Sequence, residues 1–241
     1  MKKIWILATR ELKTFFDSLI AYIMLALFLG LTGFFTWVMF SDIFSTGQAS
    51  LIPFFNVAYW SLFFFIPALT MKMFAEENRT GTIELLLTKS VSDWQVVVGK
   101  FLSVLLLIII ALVLSLPYYV SITFLGENVD HGGILTGYLA LMLMSAAYSA
   151  IGIWTSSLTN NQIVAFLLAL IIGLFFHLLF GMLASQFSGV VSNVLYNLST
   201  FNHFSSMIRG VLDSRDIIYF ITLCLAALVL TEQELSRRHK A

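Results

Sequence analysis

The sequence predicts an all-α integral membrane protein with six transmembrane helices, and three observations support this fold class. Of the 241 residues, 59% are hydrophobic and 11% are charged, whereas soluble domains are about 25% charged. The apolar residues form charge-free runs near the length of about 20 residues that crosses a hydrocarbon core. Lys and Arg residues gather at the ends of these runs. The whole chain, 1–241, is therefore interpreted as one transmembrane domain.

The spans are assigned from the charge-free runs, because a charge at the bilayer centre costs at least about 2.5–3.5 kcal/mol. Residues 132–208 contain no Asp, Glu, Lys or Arg, and the polar turn Thr-Asn-Asn at 159–161 divides this long stretch in two. The predicted spans are 18–40, 51–71, 101–125, 134–157, 162–184 and 217–230. The last would be only about 21 Å long, so it should begin earlier or lie where the bilayer is thin.

The orientation follows from the cations, because Lys and Arg in short loops stay in the cytoplasm. Eleven of the thirteen Lys and Arg residues fall on one side: Lys2, Lys3, Arg10, Lys13, Lys72, Arg79, Lys89, Lys100, Arg237, Arg238 and Lys240. Only Arg209 and Arg215 fall on the other side. Both termini and the loop 72–100 are therefore predicted to be cytoplasmic.

Residues 2–17 form a helical wheel with an apolar side and a charged side. Six apolar residues lie within about 120° of arc: Ile4, Trp5, Ala8, Leu12, Phe15 and Phe16. Five charged residues lie opposite them: Lys2, Lys3, Arg10, Lys13 and Asp17. Ile6 and Leu7 do not fit the pattern. It is typical of a helix in the membrane interface, and the alternative is a charged flank that only anchors the first span.

The cytoplasmic loop contains a signal for a short helix over residues 83–88. Thr82 can act as its N-cap, and Glu84 would lie in the first turn, near the positive end of the helix dipole. The helix would carry four apolar side chains outside the bilayer: Ile83, Leu85, Leu86 and Leu87. It should either pack beneath the protein's own spans or dock into a groove on another subunit.

A second helix is predicted at the end of the same loop. Ser92 and Gln95 have the spacing of a capping box, so the helix should begin at Asp93 and continue into the third span. The pair Gly99-Lys100 resembles the end of a phosphate-binding loop, but Phe101 follows it and the upstream glycine is missing. The chain is therefore not expected to bind ATP by that route.

Residues 185–215 are too polar to span the membrane and too apolar to form solvated coil. Irregular backbone is tolerated in a membrane only where protein or a water-filled cavity satisfies its polar groups. We expect two short helices that dip into the outer leaflet before the sixth span. The alternative is a loop that lies on the outer surface.

The fourth predicted span carries small residues at helical spacing: Ser145, Ser149, Gly152 and Ser156. Such residues let neighbouring helices approach closely. Close packing inside the bundle is the first interpretation, and a substrate-lining face is the second.

The sequence contains few signs of catalysis. It has no His-Glu-x-x-His, no Gly-x-Ser-x-Gly and no paired carboxylates within a span. The single cysteine, Cys224, can form neither an internal disulfide nor a cysteine metal cluster. Thirteen Lys and Arg balance thirteen Asp and Glu, which argues against a nucleic-acid partner.

His177 and Cys224 are the ionisable side chains predicted to lie well inside a span. An ionisable residue at membrane depth is a functional candidate by default, and an intramembrane enzyme would use His177. The alternative is a histidine that is hydrogen-bonded to a neighbouring helix.

Five segments together resemble the permease subunits of ABC-2-type exporters, over nearly the whole chain. They are Arg-Glu-Leu-Lys-x-x-Phe at 10–16, Phe-Ala-Glu-Glu at 74–77 leading into Gly-Thr-Ile-Glu-Leu-Leu-Leu-Thr at 81–88, Trp-Gln-Val-Val-x-Gly-Lys-Phe at 94–101, Ser-Leu-Thr-Asn-Asn-Gln-Ile-Val-Ala-Phe at 157–166, and Arg-Gly-Val-Leu-Asp-x-Arg-Asp-Ile-Ile-Tyr-Phe at 209–220. Their order and spacing are most similar to the permease of gliding-motility-associated ABC transporters (GldF type). Ser90 departs from the family, in which proline is common at that place.

The resemblance implies roles for the irregular parts of the chain. Residues 2–17 would be the elbow helix, with Trp5, Arg10, Leu12, Lys13 and Phe16 as its characteristic residues. The short helix after the second span would be the coupling helix that sits on the ATP-binding subunit. The residues on that motif are Glu77, Gly81, Thr82, Ile83, Glu84, Leu85 and Leu86. The resemblance thus favours docking over internal packing.

The resemblance also implies partners and a location. The chain would be a non-catalytic permease in a bacterial inner membrane, and ATP and magnesium would be bound by a separate ATPase subunit. It would pair with a second permease, either another copy or a paralogue with a large extracytoplasmic part. The alternative function is a structural membrane anchor of a motility or secretion complex, with no substrate path of its own.

Overall fold

The computed structural model describes residues 2–39, 50–82, 92–125 and 129–240. Over these ranges the chain is all-α, and six helices are long and apolar enough to cross a membrane, which confirms the predicted fold class. These spans are Ile20–Met39, Ile52–Thr80, Asp93–Phe124, His131–Ser157, Gln162–Ala184 and Ser214–Arg237. Because their number is even, both termini lie on the same side of the bundle, which we call the terminal side; the other is the far side.

The helices are numbered in chain order. They are α1 (Lys2–Asp17), α2 (Ile20–Phe34), α3 (Ile52–Thr70), α4 (Ala75–Thr80), α5 (Asp93–Leu114), α6 (Leu116–Leu125), α7 (His131–Ser157), α8 (Gln162–Leu174), α9 (Phe180–Ala184), α10 (Val190–Leu198), α11 (Thr200–Met207) and α12 (Ser214–Lys240). One π-helical turn, Phe35–Met39, follows α2, and another, Phe175–Leu179, joins α8 to α9.

Several helices extend beyond the charge-free runs. The third span begins at Asp93, not at residue 101, and α12 begins at Ser214 and continues to Lys240. The short apolar run at 217–230 is therefore the middle of a longer helix. Helices extend in this way because their backbone hydrogen bonds continue into the interface, where charged side chains remain solvated.

The fourth span, α7, is the most buried of the six and packs against α3, α5, α8 and α12. Its small residues make this possible. A side chain at Gly152 would overlap Thr70 of α3, and Ser145 and Ser149 are fully buried. The small-residue pattern therefore serves close packing, as the first interpretation predicted.

Helix α1 lies across α5 on the terminal side, with Ala8 and Phe15 buried against the bundle. Trp5, which the helical wheel grouped with them, is 57% exposed. Leu7, which did not fit the wheel, is in contact with α5 through Gly99. The predicted apolar face is thus partly packed against the bundle and partly exposed. A helical wheel cannot distinguish apolar side chains that pack against protein from those that do not.

Two short helices, α10 and α11, precede the last span, as predicted. Gly189, at φ 71°, begins α10, and Gly210, at φ 84°, follows α11. Positive φ favours glycine at these turns. Helix α11 packs against α7, α12 and the second π-helical turn.

Candidate coupling site

The chain leaves the second span through a turn that Ser156 holds in place. The fully buried Ser156 hydroxyl donates to the Met71 carbonyl (2.9 Å) and accepts the backbone N–H groups of Phe74 (3.0 Å) and Ala75 (3.1 Å). One side chain of the fourth span therefore satisfies three backbone groups where α3 ends and α4 begins. The direction of α4 is set by this contact.

Helix α4 is also tied to the turn between the fourth and fifth spans. The Asn78 amide donates to the carbonyls of Thr159 (3.2 Å) and Ser157 (3.4 Å). The Gln162 amide, at the start of α8, donates to a carboxylate oxygen of Glu76 (3.2 Å). Side chains from both faces of α4 thus hold the polar turn that the sequence marked only as a boundary.

Lys100 links α4 to α1 and α5 by charge. Its side chain is 3% exposed, and its Nζ lies 2.7 Å from Glu77 Oε1 and 3.7 Å from Glu11 Oε2. The same ammonium lies 5.1 Å from the centre of the Phe74 ring. A buried ammonium is stable only when it is paired. These three elements are therefore held together at one point, which we call the Lys100 junction (Lys100, Glu11 and Glu77).

The neighbouring glycine allows α1 to approach. A Cβ atom at Gly99 would lie 2.8 Å from Leu7 Cβ and 3.5 Å from the Ile4 carbonyl oxygen. Because Gly99 has no Cβ atom, this overlap does not occur. Lys100, the next residue of α5, then reaches Glu11 on α1. The Gly-Lys pair thus packs a helix crossing through Gly99 and ties it through the ion pairs of Lys100.

A narrow cleft of about 140 Å³ opens beside the junction, with Glu11, Phe15, Lys72, Glu77 and Lys100 in its walls. The Lys72 ammonium lies 5.1 Å from the centre of the Phe15 ring. Ligand pockets are usually at least about 300 Å³, so this cleft is too small for a nucleotide. The arrangement is suited to holding helices together.

The predicted coupling residues divide into two groups. Glu77 is turned inward to Lys100, Gly81 ends α4 with a left-handed backbone (φ 69°), and Thr82 is exposed with its hydroxyl 2.9 Å from that of Thr80. Ile83, Glu84, Leu85 and Leu86, and with them the predicted helix at 83–88, lie outside the described residues.

The capping box is confirmed. Ser92 Oγ accepts the Gln95 backbone N–H (3.3 Å), and the Gln95 side chain accepts the Ser92 backbone N–H (3.4 Å). Helix α5 begins at Asp93 as predicted. The loop that contains the predicted coupling helix is therefore bounded by Thr82 and by a capped helix start.

The residues predicted for the interfacial helix have different surroundings. Trp5, Arg10 and Lys13 are exposed, whereas Leu12 and Phe16 are half-buried against the bundle. This helix also contains the residue that sequence reasoning missed, Glu11. A signal for it existed, since a carboxylate at the edge of the apolar arc of the wheel, next to Ile4, needs a cation as its partner where it packs against the bundle.

His177, in the fifth span, is enclosed by aromatic rings of neighbouring spans. It stacks between Tyr59 and Phe63, with ring centres 3.8 and 4.3 Å away, and its Nδ1 lies 3.0 Å from the Tyr148 hydroxyl of α7. A hydrogen bond to a neighbouring helix is what the second interpretation predicted. In the part of the chain that the structure describes, no group of three His, Cys, Asp or Glu residues could hold a metal.

Comparison with protein families finds a match over most of the chain. Residues 41–231 match the family described as ABC-2 family transporter protein. The matched region includes the second to fifth spans, most of the sixth, Lys100, Ser156 and the two far-side helices. It begins after α1 and the described part of the first span. A comparison with curated proteins finds no match.

Proposed function

Because the chain belongs to the ABC-2 transporter family, as a multi-pass permease subunit of an ABC exporter, we propose that its residues 77–86 couple it to a separate ATPase. Permeases of this family are non-catalytic and work with an ABC ATPase. ATP and magnesium are bound by that partner. The transmembrane chain turns the free energy of hydrolysis into movement of its helices.

The observation that carries this proposal is the rigid attachment of α4. Lys100 ties it to α1 and α5, Ser156 ties its start to α7, and Gln162 ties it to α8. A flexible linker would absorb a push, whereas a helix with hydrogen bonds to three spans passes it on. A force applied beyond Thr82 therefore reaches the bundle as a whole.

The movement follows from this attachment. When the ATPase subunits close on ATP, residues 82–88 move with them, and α4 carries the displacement into the third, fourth and fifth spans. The bundle then rocks as a body and alters a path along its contact with a second permease. That second permease is another copy of the chain or a paralogue with a large extracytoplasmic part. We place the chain in a bacterial inner membrane, with the terminal side of the bundle, and so both termini, facing the cytoplasm.

Replacement of Glu84 and Leu85 by Arg tests the docking step. Recruitment of the ATPase to membranes should fall, because two cations replace the apolar and acidic surface, while insertion and abundance stay normal. The matched control places the same two Arg residues at Gln186 and Phe187, which are exposed on the far side. Recruitment at the wild-type level by the first variant would refute docking through this segment.

The alternative is a membrane anchor with no substrate path, and hydrolysis distinguishes the two functions. In a reconstituted complex, an exporter shows ATP hydrolysis stimulated by its substrate, and replacement of Lys100 by Met should remove that stimulation. For an anchor, hydrolysis would be the same with and without the variant. This measurement separates loss of coupling from loss of assembly, because recruitment is measured on the same sample.

We also propose that the complex serves gliding motility, from the resemblance of the five segments, in their order and spacing, to the gliding-associated permeases. Deletion of the gene in the source bacterium should abolish gliding, and the wild-type chain should restore it. The Glu84 and Leu85 double variant should not restore it. Normal gliding after deletion would assign the permease to a different exporter.

A further inference from the structure

A hydrogen-bonded histidine joins two helices on the far side of the bundle. His203 of α11 lies between the end of α10 and the start of α12. Its Nδ1 lies 2.6 Å from Asp216 Oδ1, and its Nε2 lies 2.9 Å from the Asn197 carbonyl oxygen. The side chains of His203 and Asp216, which we call the far-side pair, are 11% and 9% exposed. Both are therefore largely shielded from water.

The two contacts of the ring together fix how many protons the far-side pair holds. A carbonyl oxygen can only accept, so Nε2 must carry a proton to bond to Asn197. At 2.6 Å, a second proton must lie between Nδ1 and the carboxylate, bound either to the ring or to Asp216. A neutral imidazole beside an ionised carboxylate has one proton too few for both bonds. The arrangement is therefore that of the pair with one additional proton bound.

The surroundings of the ring agree with this proton count. Tyr219 of α12 stacks on it, with ring centres 4.1 Å apart, and the face of an aromatic ring attracts a cation. Asn197 lies in the last turn of α10, at the negative end of the helix dipole. Among the described residues, His203 is the only ion-pair partner of Asp216, whose Oδ2 has no hydrogen-bond partner there. The contacts of the ring are therefore those that an imidazolium makes.

The other ionisable groups around α11 have different contacts. Helix α11 packs against α7, α9, α10, α12 and the second π-helical turn. His131 of α7 is hydrogen-bonded to Tyr119, and His177 of the π-helical turn to Tyr148 of α7. Further ionisable side chains near this end are exposed or half-buried: Asp130, Tyr196, Arg209, Asp213 and Arg215. In the part of the chain that the structure describes, none of these groups forms a hydrogen bond, an ion pair or a ring contact with His203. A change of pH therefore reaches the ring through the far-side pair itself.

Loss of the additional proton breaks one of the two bonds and keeps the other. The remaining ring proton stays with the Asp216 carboxylate, because a hydrogen bond to a charged acceptor is about twice as strong as a neutral one. Nε2 then presents a lone pair to the Asn197 carbonyl oxygen, and two acceptors repel each other. The end of α10 keeps one tie to α12, since the Tyr219 hydroxyl donates to the Leu198 carbonyl (2.8 Å). The end of α10 therefore loosens without unfolding.

We propose that the far-side pair is a proton-operated lock. With the additional proton bound, His203 holds the end of α10 to the start of α12, and without it the end of α10 is released from the ring. The lock is closed at low pH and opens as the pH rises. It does not depend on residues 77–86 or on an ATPase. In the orientation proposed above, this end lies outside the cytoplasm, so the lock responds to the pH there.

A spin label on α10 measures the opening of the lock. The label is attached to a cysteine at Val194, which is 53% exposed, in the full chain with Cys224→Ala. Electron paramagnetic resonance spectra in dodecyl maltoside micelles are recorded from about pH 5 to 9, the range in which histidine side chains in proteins exchange a proton. The ratio of mobile to immobile label should rise about fivefold with pH, the factor expected for one hydrogen bond. A ratio that is independent of pH would overturn the proposal.

Two matched substitutions identify the group that exchanges the proton. His203→Gln should give the same label ratio over the whole pH range, because glutamine has no proton to exchange. His131→Gln makes the same change at another histidine of the far side and should keep the wild-type response. A pH response that survives in His203→Gln, or one that disappears in His131→Gln, would overturn the proposal. Size-exclusion chromatography shows whether each variant is folded.

Nitrogen-15 NMR of the histidine rings tests the lock in a chain with His203 intact. The His203 signal is identified by its through-space contact with the Tyr219 ring. Its ring shifts should change with the same midpoint pH as the label ratio, since one proton controls both. Clearly different midpoints would overturn the proposal, whether or not the histidine variants fold.

Discussion

The charged clusters at the two ends of the bundle differ in what they join. On the terminal side, Lys100 of α5 joins Glu11 of α1 and Glu77 of α4. These three helices are separate elements of the chain. On the far side, His203 Nδ1 lies 2.6 Å from Asp216 Oδ1, and its Nε2 lies 2.9 Å from the Asn197 carbonyl oxygen. The far-side cluster is thus formed within one short stretch of chain.

The difference supports the proposal that the terminal side transmits a force. A local cluster fixes the shape of its own segment, in this case α10, α11 and the start of α12, with Tyr219 stacked on His203 at 4.1 Å. A long-range cluster makes separate helices move together, because none of them can shift without breaking an ion pair in a buried place. We therefore expect changes on the terminal side to reduce coupling, and changes on the far side to reduce only local stability.

Lys100→Met should have the largest effect. The variant leaves the Glu11 and Glu77 carboxylates, 18% and 20% exposed, without their cation. Removing one partner of a buried pair costs about 3–5 kcal/mol, and unfolding in mixed micelles measures the loss. Adding Glu77→Gln should recover part of it, since one unpaired charge is removed. A double variant no more stable than the single would mean that Glu77 is not the main partner.

Gly99→Ala should cost about 1–3 kcal/mol, as overpacking does. The added Cβ would press on Leu7 of α1 at 2.8 Å. Protease cleavage at Arg10 should become faster as α1 lifts from the bundle. Gly30→Ala is the matched control, since a Cβ there meets nothing within 4 Å. If both variants cleave at the same rate, the crossing of α1 and α5 is looser than the structure shows.

Ser156→Ala should cost about 1–3 kcal/mol, because two backbone N–H groups lose their acceptor at a buried site. ATP hydrolysis in the complex should become less responsive to substrate, since the start of α4 is released from α7. Ser188→Ala, at an exposed position of the far side, is the control. Full stimulation in the Ser156 variant would show that the Ser156 contact is not needed to transmit the force.

His203→Gln should have the smallest effect and sharpens the comparison most. Gln can keep one of the two hydrogen bonds, so the loss should be about 1 kcal/mol, seen as faster proteolysis of the 185–215 segment. ATPase recruitment and substrate stimulation should stay at wild-type levels. Loss of recruitment in this variant would break the distinction between the two ends.

The sequence by itself determined the six spans, the predicted side of the termini and the start of α5. Each follows from a property of neighbouring residues: the cost of placing a charge in hydrocarbon, or the spacing of Ser92 and Gln95. The short helices before the last span were also predictable from local composition. Residues 185–215 are too polar to span the membrane and too apolar to form solvated coil.

Only the tertiary structure decided which of those residues meet. Lys100 could have faced water, and the Ser156 hydroxyl could have bonded to its own helix. Their actual partners, Glu77 and Glu11 for the lysine and the start of α4 for the serine, lie 23 to 89 residues away and on other elements. Such contacts depend on how helices pack, and packing is set by the summed fit of many side chains, which no local pattern of residues contains.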